Sequence, residues 1–155
     1  MTARKSPYHT TSRVVAQTIE VYDRDARLFL RRWEKKRYKR PALLAEWLTL
    51  LPKRAVLLDL GSGGGQDTRY LRTVGYRVVG LDRRLPLLRF GKTCAPSASL
   101  ILADMQSLPI CTGSLDGIWA AASLIHLPKA AAMDVFIELH RRLRPRGGVR
   151  CHADL

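Results

Sequence analysis

The sequence of 155 residues lacks the features of several familiar protein classes. No apolar run approaches the roughly 18 residues that a membrane span requires, and the longest run, residues 118–125, is interrupted by Ser123. The cysteines, which are Cys94, Cys111 and Cys151, form neither a CxxC pair nor an even-numbered framework. These absences exclude a disulfide scaffold and a membrane bundle, and they predict a protein of the reducing cytoplasm with no membrane partner.

Acidic residues are also scarce, because 13 Asp and Glu stand against 27 Lys and Arg, which gives a formal net charge of +14. The densest basic block is residues 31–40, where Trp33 and Tyr38 could stack on bases while the cations contact phosphates. A solvated helix face, in a protein kept soluble by its charge, is the alternative interpretation of the same block. Both interpretations stay open at this point.

The spacing of apolar residues changes near residue 52. Before it the spacing is helical, over residues 14–39 and again over residues 42–51. After it, short apolar runs typical of buried strands alternate with helical segments. The predicted strands are 55–60, 77–82, 99–103, 116–121 and 149–155, and the predicted helices are 67–74, 86–92 and 129–143. This alternation predicts an α/β fold with a mostly parallel sheet of about five strands and a helical N-terminal extension.

A glycine-rich segment follows the first predicted strand and contains the run Asp59-Leu60-Gly61-Ser62-Gly63-Gly64-Gly65. Glycines permit a tight turn from strand to helix and let a ligand approach the backbone closely. The dinucleotide fingerprint GxGxxG fails at Gln66 or at Thr68, depending on the glycine from which it begins. The Gly-Lys-Ser/Thr of a P-loop is also absent. Neither type of phosphate-binding loop is therefore indicated.

Acidic residues end or follow the predicted strands. Asp59 would repel a pyrophosphate but attract an ammonium or a sulfonium group. S-adenosylmethionine carries both cations and no phosphate, and its carboxylate could bind amide groups at the N-terminus of the following helix. Asp82 lies 23 residues after Asp59, where it could accept hydrogen bonds from ribose hydroxyls, and Asp104 could bind the adenine amino group. The acids therefore predict S-adenosylmethionine as the cofactor.

In these motifs the chain resembles the class I, Rossmann-like S-adenosylmethionine-dependent methyltransferases of the small type-11, or ubiquinone-biosynthesis-like, kind. The segments that carry the resemblance are 57–65, 79–82, 103–109, 114–119 and 143–148. The resemblance implies a three-layer αβα fold. It also implies that residues 53–155 form the cofactor-binding core, while residues 1–52 form an N-terminal arm and helices that cap the site.

The family's sheet has seven strands, and this chain ends inside the fifth predicted strand. We therefore expect a truncated core that lacks its C-terminal strands. An exposed sheet edge would then favour a homodimer.

The resemblance also implies a role for individual residues. Asp59 and the glycines would hold the methionine end, Asp82 the ribose, and Asp104 with the Met105 backbone the adenine. The implied cofactor-binding residues are Tyr22, Asp59, Gly61, Ser62, Gly63, Gly65, Asp82, Arg83, Asp104, Met105, Ala120 and Ala121. Core packing is the alternative role for Tyr22, and a helix cap is the alternative for Asp104.

His126 follows the fourth predicted strand, where the family binds its methyl acceptor, and it is the one candidate for a general base. A purely structural histidine is the alternative. The His and Cys positions share no ligand spacing, so no metal site is expected.

The function that the resemblance implies is direct methyl transfer from S-adenosylmethionine to a small molecule. Two alternatives stay open. The chain could be an RNA-directed methyltransferase or RNA-binding module that uses residues 31–40, or it could be an inactive truncated remnant.

Overall fold

The computed structural model describes residues 42–152. The predicted helix over residues 14–39, the basic block 31–40 and Tyr22 therefore lie outside the described residues. The first described element is helix α1 (Ala42–Thr49). Among residues 42–152, no helix has the length and apolar character needed to cross a bilayer.

One sheet of five parallel strands forms the centre of the domain, in the order β3-β2-β1-β4-β5. The strands are β1 (Val56–Leu60), β2 (Arg77–Asp82), β3 (Ser99–Leu102), β4 (Leu115–Ala121) and β5 (Leu143–His152). The strand order reverses at β1, because the chain proceeds to β2 and β3 on one side and then crosses to β4 on the other. In open parallel sheets, ligands bind outside the carboxyl ends of the strands at such a reversal.

Apolar side chains cover both faces of the sheet, as expected when crossover helices pack on each side. The helices that follow α1 are α2 (Gln66–Thr73), α3 (Leu85–Cys94) and α4 (Lys129–Arg142), and a short 3-10 helix spans Leu124–His126. Leu58 belongs to a buried cluster with Val135 and Leu139 of α4. The adjacent Leu57 faces the other side, in a cluster that contains Leu44, Trp47, Leu71, Val78 and Trp119. The predicted three-layer αβα fold is confirmed.

The largest difference from the sequence prediction lies at the start of β5. The strand begins at Leu143, whereas the sequence predicted a turn over residues 144–148 and a strand from residue 149. The pairing with β4 jumps from Leu143 to Gly148, so the intervening residues form a bulge inside the strand. Pro145 has no N–H group to donate to a ladder, and proline within a sheet is confined to edges and bulges. The other element boundaries agree with the prediction to within two residues.

Candidate cofactor site

The loop between β1 and α2 depends on glycine for its shape. Gly61, Gly63 and Gly65 have φ values of 75°, 51° and 76°, in the left-handed region that other residues rarely adopt. A Cβ atom at Gly61 would also lie 2.3 Å from the Cβ of Ser123, in the segment after β4. Glycine at position 61 therefore allows the loop after β1 and the segment after β4 to contact each other.

Hydrogen bonds fasten this loop to the end of β2. The amides of Gly61 and Ser62 both donate to the carbonyl of Leu81, at 2.8 and 2.9 Å. The amide of Gly63 donates to Oδ2 of Asp82 at 2.9 Å. Asp82 is only 3% exposed, so its carboxylate is a buried anchor for the loop. The predicted ribose ligand thus lies beside the glycines predicted to bind the methionine end.

Arg84 forms an ion pair with the same carboxylate. Its Nε and Nη2 donate to Oδ1 and Oδ2 of Asp82, at 3.1 and 3.2 Å. The Arg84 charge also acts on His126. Burial and then the positive charge of Arg84 lower the pKa of the His126 imidazole, whereas Asp82 opposes this shift. The guanidinium charge therefore acts on a residue at the end of β2 and on a residue after β4.

Asp59 lies under the loop and is 2% exposed. The hydroxyl of Thr68 donates to its Oδ2 at 2.6 Å. Burial and then the neighbouring Asp67 carboxylate raise the pKa of Asp59 to about 7, although the Thr68 hydrogen bonds oppose this shift. The sequence predicted a negative charge at this position. With a pKa of about 7, Asp59 loses that charge as the pH falls below neutrality.

Asp67 and Thr68 are site residues that the sequence reasoning missed. Asp67 is 7% exposed and accepts a hydrogen bond from the indole Nε1 of Trp119 at 2.9 Å. The Trp119 ring is stacked with Trp47 and with His152, at centroid distances of 5.9 and 6.3 Å. An acid in the first turn of a helix usually stabilises the helix dipole at the surface, so its position in the sequence did not indicate a buried partner.

Asp104 follows β3, and its carboxylate accepts a hydrogen bond within the turn that follows this strand. Its Oδ1 accepts the amide of Gln106 at 3.0 Å, and its Oδ2 lies 3.7 Å from Nη1 of Arg83. No helix begins at Asp104, because only a turn separates β3 from the segment before β4, so the helix-cap alternative does not apply. The adenine role of Asp104 and Met105 stays a prediction. Arg83, another predicted cofactor residue, is positioned by this ion pair.

The end of β4 supplies the remaining predicted residues. Ala120 is buried among the α4-side cluster, and Ala121 packs against the opposite cluster. Ser123 is buried, and its hydroxyl has no hydrogen-bond partner among residues 42–152; the same holds for the hydroxyl of Ser62. His126 lies in the 3-10 helix and is only partly buried.

These predicted residues share one feature, since each lies at or just after the carboxyl end of a strand. The structure brings three groups to the same edge of the sheet: the glycine loop, the acids near the ends of β1, β2 and β3, and the segment after β4. Tyr22 lies outside the described residues, and its role stays a prediction.

Comparison with known proteins agrees with this arrangement. Residues 58–151 match the Methyltransf_11 family model, which describes a methyltransferase domain. An uncharacterized methyltransferase of Synechocystis is 34% identical over 110 residues, which cover 71% of this chain and 51% of that protein. A malonyl-[acyl-carrier protein] O-methyltransferase of Pseudescherichia vulneris is 32% identical over 95 residues, which cover 61% of this chain and 37% of that protein.

Solved structures show the same fold. The TehB-like SAM-dependent methyltransferase from Corynebacterium glutamicum superposes with a TM-score of 0.71 and covers 84% of this chain and 72% of its own, at 21% identity. This chain spans about half the length, or less, of the two curated relatives described above. Because the family model covers more than half of the chain, the chain belongs to the Methyltransf_11 family of methyltransferase domains, as its motifs predicted.

Proposed function

We propose that this chain binds S-adenosylmethionine and transfers its methyl group directly to a small-molecule acceptor. The observation that carries the proposal is the bond between the Gly63 amide and the buried Asp82 carboxylate. A loop that binds phosphates offers its amides to the ligand, whereas here the loop is fastened to an anion. Membership of the methyltransferase domain family supports the same cofactor.

The residues present fit this cofactor. Glycines with left-handed backbones leave space where side chains would otherwise fill the turn. The hydroxyls of Ser62 and Ser123 are buried without a partner among the described residues, and both lie beside the loop. A buried hydroxyl without a partner costs free energy, which a polar ligand would recover. The loop therefore offers space and hydrogen bonds to a polar ligand.

Each carboxylate would hold a different part of the cofactor. Asp82 would accept the ribose hydroxyls, and Asp104 with the Met105 backbone would bind the adenine. Asp59 would attract the ammonium group of the methionine end, and a cation nearby would favour its ionised form. The backbones of Ala120 and Ala121 would line the methionine side, and residues 1–52, with Tyr22, would cap the site.

When bound, S-adenosylmethionine supplies an electrophilic methyl group on a sulfonium leaving group. The chain's main task is therefore to align the acceptor with that methyl group, which is a positional contribution. His126 stands after β4 with a lowered pKa, so it is neutral at pH 7 and able to accept a proton from the acceptor. The name of one relative, a malonyl-[acyl-carrier protein] O-methyltransferase, supports transfer of the methyl group to an oxygen atom of the acceptor.

The RNA alternative depends on residues 31–40, which lie outside the described residues, and it stays a prediction. The homodimer through an exposed sheet edge and the cytoplasmic location also stay predictions. The inactive-remnant alternative is opposed by the site itself, because the described residues include every strand end that the cofactor proposal uses.

Thermal melting with and without S-adenosylmethionine tests the proposal. A ligand that binds only the folded state must raise the midpoint, so we expect a rise of several degrees at saturating cofactor for the natural chain. Asp82→Asn should lose most of this rise, because it removes the charge that attracts two ribose hydroxyl donors. Asp134→Asn is the control, since Asp134 is exposed on α4 and should keep the full rise.

Each outcome has a distinct meaning. No rise for the natural chain would contradict cofactor binding. A full rise for Asp82→Asn would contradict the ribose assignment alone.

A further inference from the structure

The carboxylate assigned to the ribose is already saturated with hydrogen bonds. Oδ1 of Asp82 accepts the backbone amide of Arg84 at 2.9 Å and its Nε at 3.1 Å. Oδ2 accepts the amide of Gly63 at 2.9 Å and Nη2 of Arg84 at 3.2 Å. An ionised carboxyl group has about four lone-pair positions in total. All of them are therefore used within the chain, and none is left for a ribose hydroxyl.

The donors differ in how easily they can leave. The amides of Gly63 and Arg84 are backbone groups, held by the loop and by the start of α3. The guanidinium lies at the end of a long side chain with several rotatable bonds. The Arg84 side chain is 17% exposed, whereas the Asp82 side chain is 3% exposed. A ribose can reach Asp82 most readily by taking the two positions that the guanidinium now occupies.

We propose that Arg84 is a positioning residue that holds the Asp82 carboxylate in the cofactor-free protein, and that the ribose hydroxyls of the cofactor must displace its guanidinium. This inference rests on the proposed function. Displacement breaks an ion pair with two hydrogen bonds and replaces it with two bonds from neutral hydroxyls, so Arg84 lowers the affinity for a nucleoside cofactor. Arg84, two residues after the acid assigned to the ribose, thus sets how tightly this site holds its cofactor.

The positive charge of Arg84 is a second reason why this residue would lower the affinity for the cofactor. The guanidinium also acts on His126, whose pKa its charge lowers, so the positive charge lies near the segment where the methyl acceptor is expected. Removal of the arginine would therefore raise affinity in two ways. It would open the Asp82 carboxylate, and it would relieve the repulsion of a cationic cofactor.

Isothermal titration calorimetry with S-adenosylhomocysteine tests the inference, because this product analogue has the ribose but no sulfonium charge and no transferable methyl group. We expect Arg84→Gln to bind it at least five times more tightly than the natural chain. Arg89→Gln is the control, since Arg89 is exposed on α3 and its removal makes the same change in net charge. It should bind within a factor of two of the natural chain.

Arg84→Lys provides a second test that keeps the charge. Lysine cannot donate two parallel bonds to one carboxylate, so this variant should also bind more tightly, by a smaller factor. Adenosine should bind Arg84→Gln more tightly than it binds the natural chain, whereas 2′,3′-dideoxyadenosine should show no such gain. A purely structural role for Arg84 would not produce a gain that depends on the ribose hydroxyls.

The outcomes separate the two proposals. If the natural chain binds S-adenosylhomocysteine and Arg84→Gln and Arg84→Lys bind it equally or more weakly, the displacement is wrong and the proposed cofactor stands. If neither the natural chain nor any variant binds S-adenosylhomocysteine, both proposals are contradicted.

Discussion

The two ends of the parallel strands, here called the carboxyl edge and the amino edge of the sheet, differ in how deeply they bury acidic side chains. At the carboxyl edge, Asp59 and Asp82 are 2% and 3% exposed. At the amino edge, Arg54, Arg77 and Arg144 are exposed at or just before strand starts. Burial of a charge costs free energy, whereas exposed cations remain solvated and cost little. The buried acids therefore indicate that the carboxyl edge is the functional one, even though the chain as a whole carries a large positive net charge.

The glycine loop should be the most sensitive part of this comparison. Gly61→Ala combines a left-handed φ with a 2.3 Å approach of its Cβ to Ser123. We expect it to lower the free energy of unfolding by about 3 kcal/mol or more. Gly113→Ala, at the amino edge, has φ of 63° and no atom within 4 Å of its Cβ. It should cost only about 1 kcal/mol.

Urea denaturation of both glycine variants measures this difference. Equal losses at the two positions would mean that strain alone, rather than contact with the segment after β4, makes glycine necessary at position 61.

The carboxyl groups at the two edges should respond to substitution with opposite signs. The folded-state pKa of Asp59 is raised to about 7 from 3.8, so the unfolded chain ionises first and stability falls as pH rises between these values. Asp59→Asn keeps an acceptor for Thr68 and removes this penalty. It should stabilise the fold by about 2 kcal/mol at pH 8, and the gain should vanish below pH 4.

Asp116 provides the contrast at the amino edge. Burial would raise its pKa, but the Val56 amide and Arg144 outweigh that effect and the pKa is lowered. Its ionised form therefore stabilises the fold above the ordinary pKa of aspartate, and this contribution is lost as pH falls through the lowered value. Asp116→Asn should destabilise by about 1 kcal/mol at pH 8. Chemical denaturation at pH 8 and pH 4 checks both variants, and changes of the same sign at pH 8 would contradict the account.

The smallest expected effect concerns hydrogen bonds made by aromatic side chains. Trp119→Phe removes the donor to the buried Asp67 carboxylate at the carboxyl edge. Tyr76→Phe removes a 3.0 Å bond from a half-buried hydroxyl to the Leu48 carbonyl at the amino edge. Thermal denaturation should show a loss about 1 kcal/mol larger for Trp119→Phe, because this change removes both the donor to a buried acceptor and part of a fully buried ring. A larger loss of stability for Tyr76→Phe would contradict the expectation that buried side chains at the carboxyl edge are the more costly to change.

Much of the fold could be predicted because apolar periodicity determines it. The runs that became β1, β2 and β4 are nearly continuous in apolar residues, which is typical of strands buried on both faces. The bulge in β5 could not be predicted, since Pro145 and the following glycines are equally consistent with a turn before a strand.

The site could be predicted only in part. The glycines have the spacing that a tight turn from strand to helix needs, and Asp82 ends the next predicted strand. Their position at the carboxyl edge therefore followed from the sequence. The pKa of Asp59 did not, because it depends on the distance to Asp67 and on burial, which only the packed structure determines. The ion pair of Arg84 with Asp82 likewise depends on a side-chain conformation that spacing does not reveal.

We propose that the acids at the carboxyl edge select a cationic cofactor over one that carries phosphate. Calorimetric titration of the chain with S-adenosylmethionine and, separately, with NAD is the most direct test. We expect saturable binding of S-adenosylmethionine and no measurable binding of NAD at the same concentrations. Binding of NAD with equal or greater affinity, or no binding of S-adenosylmethionine, would contradict it.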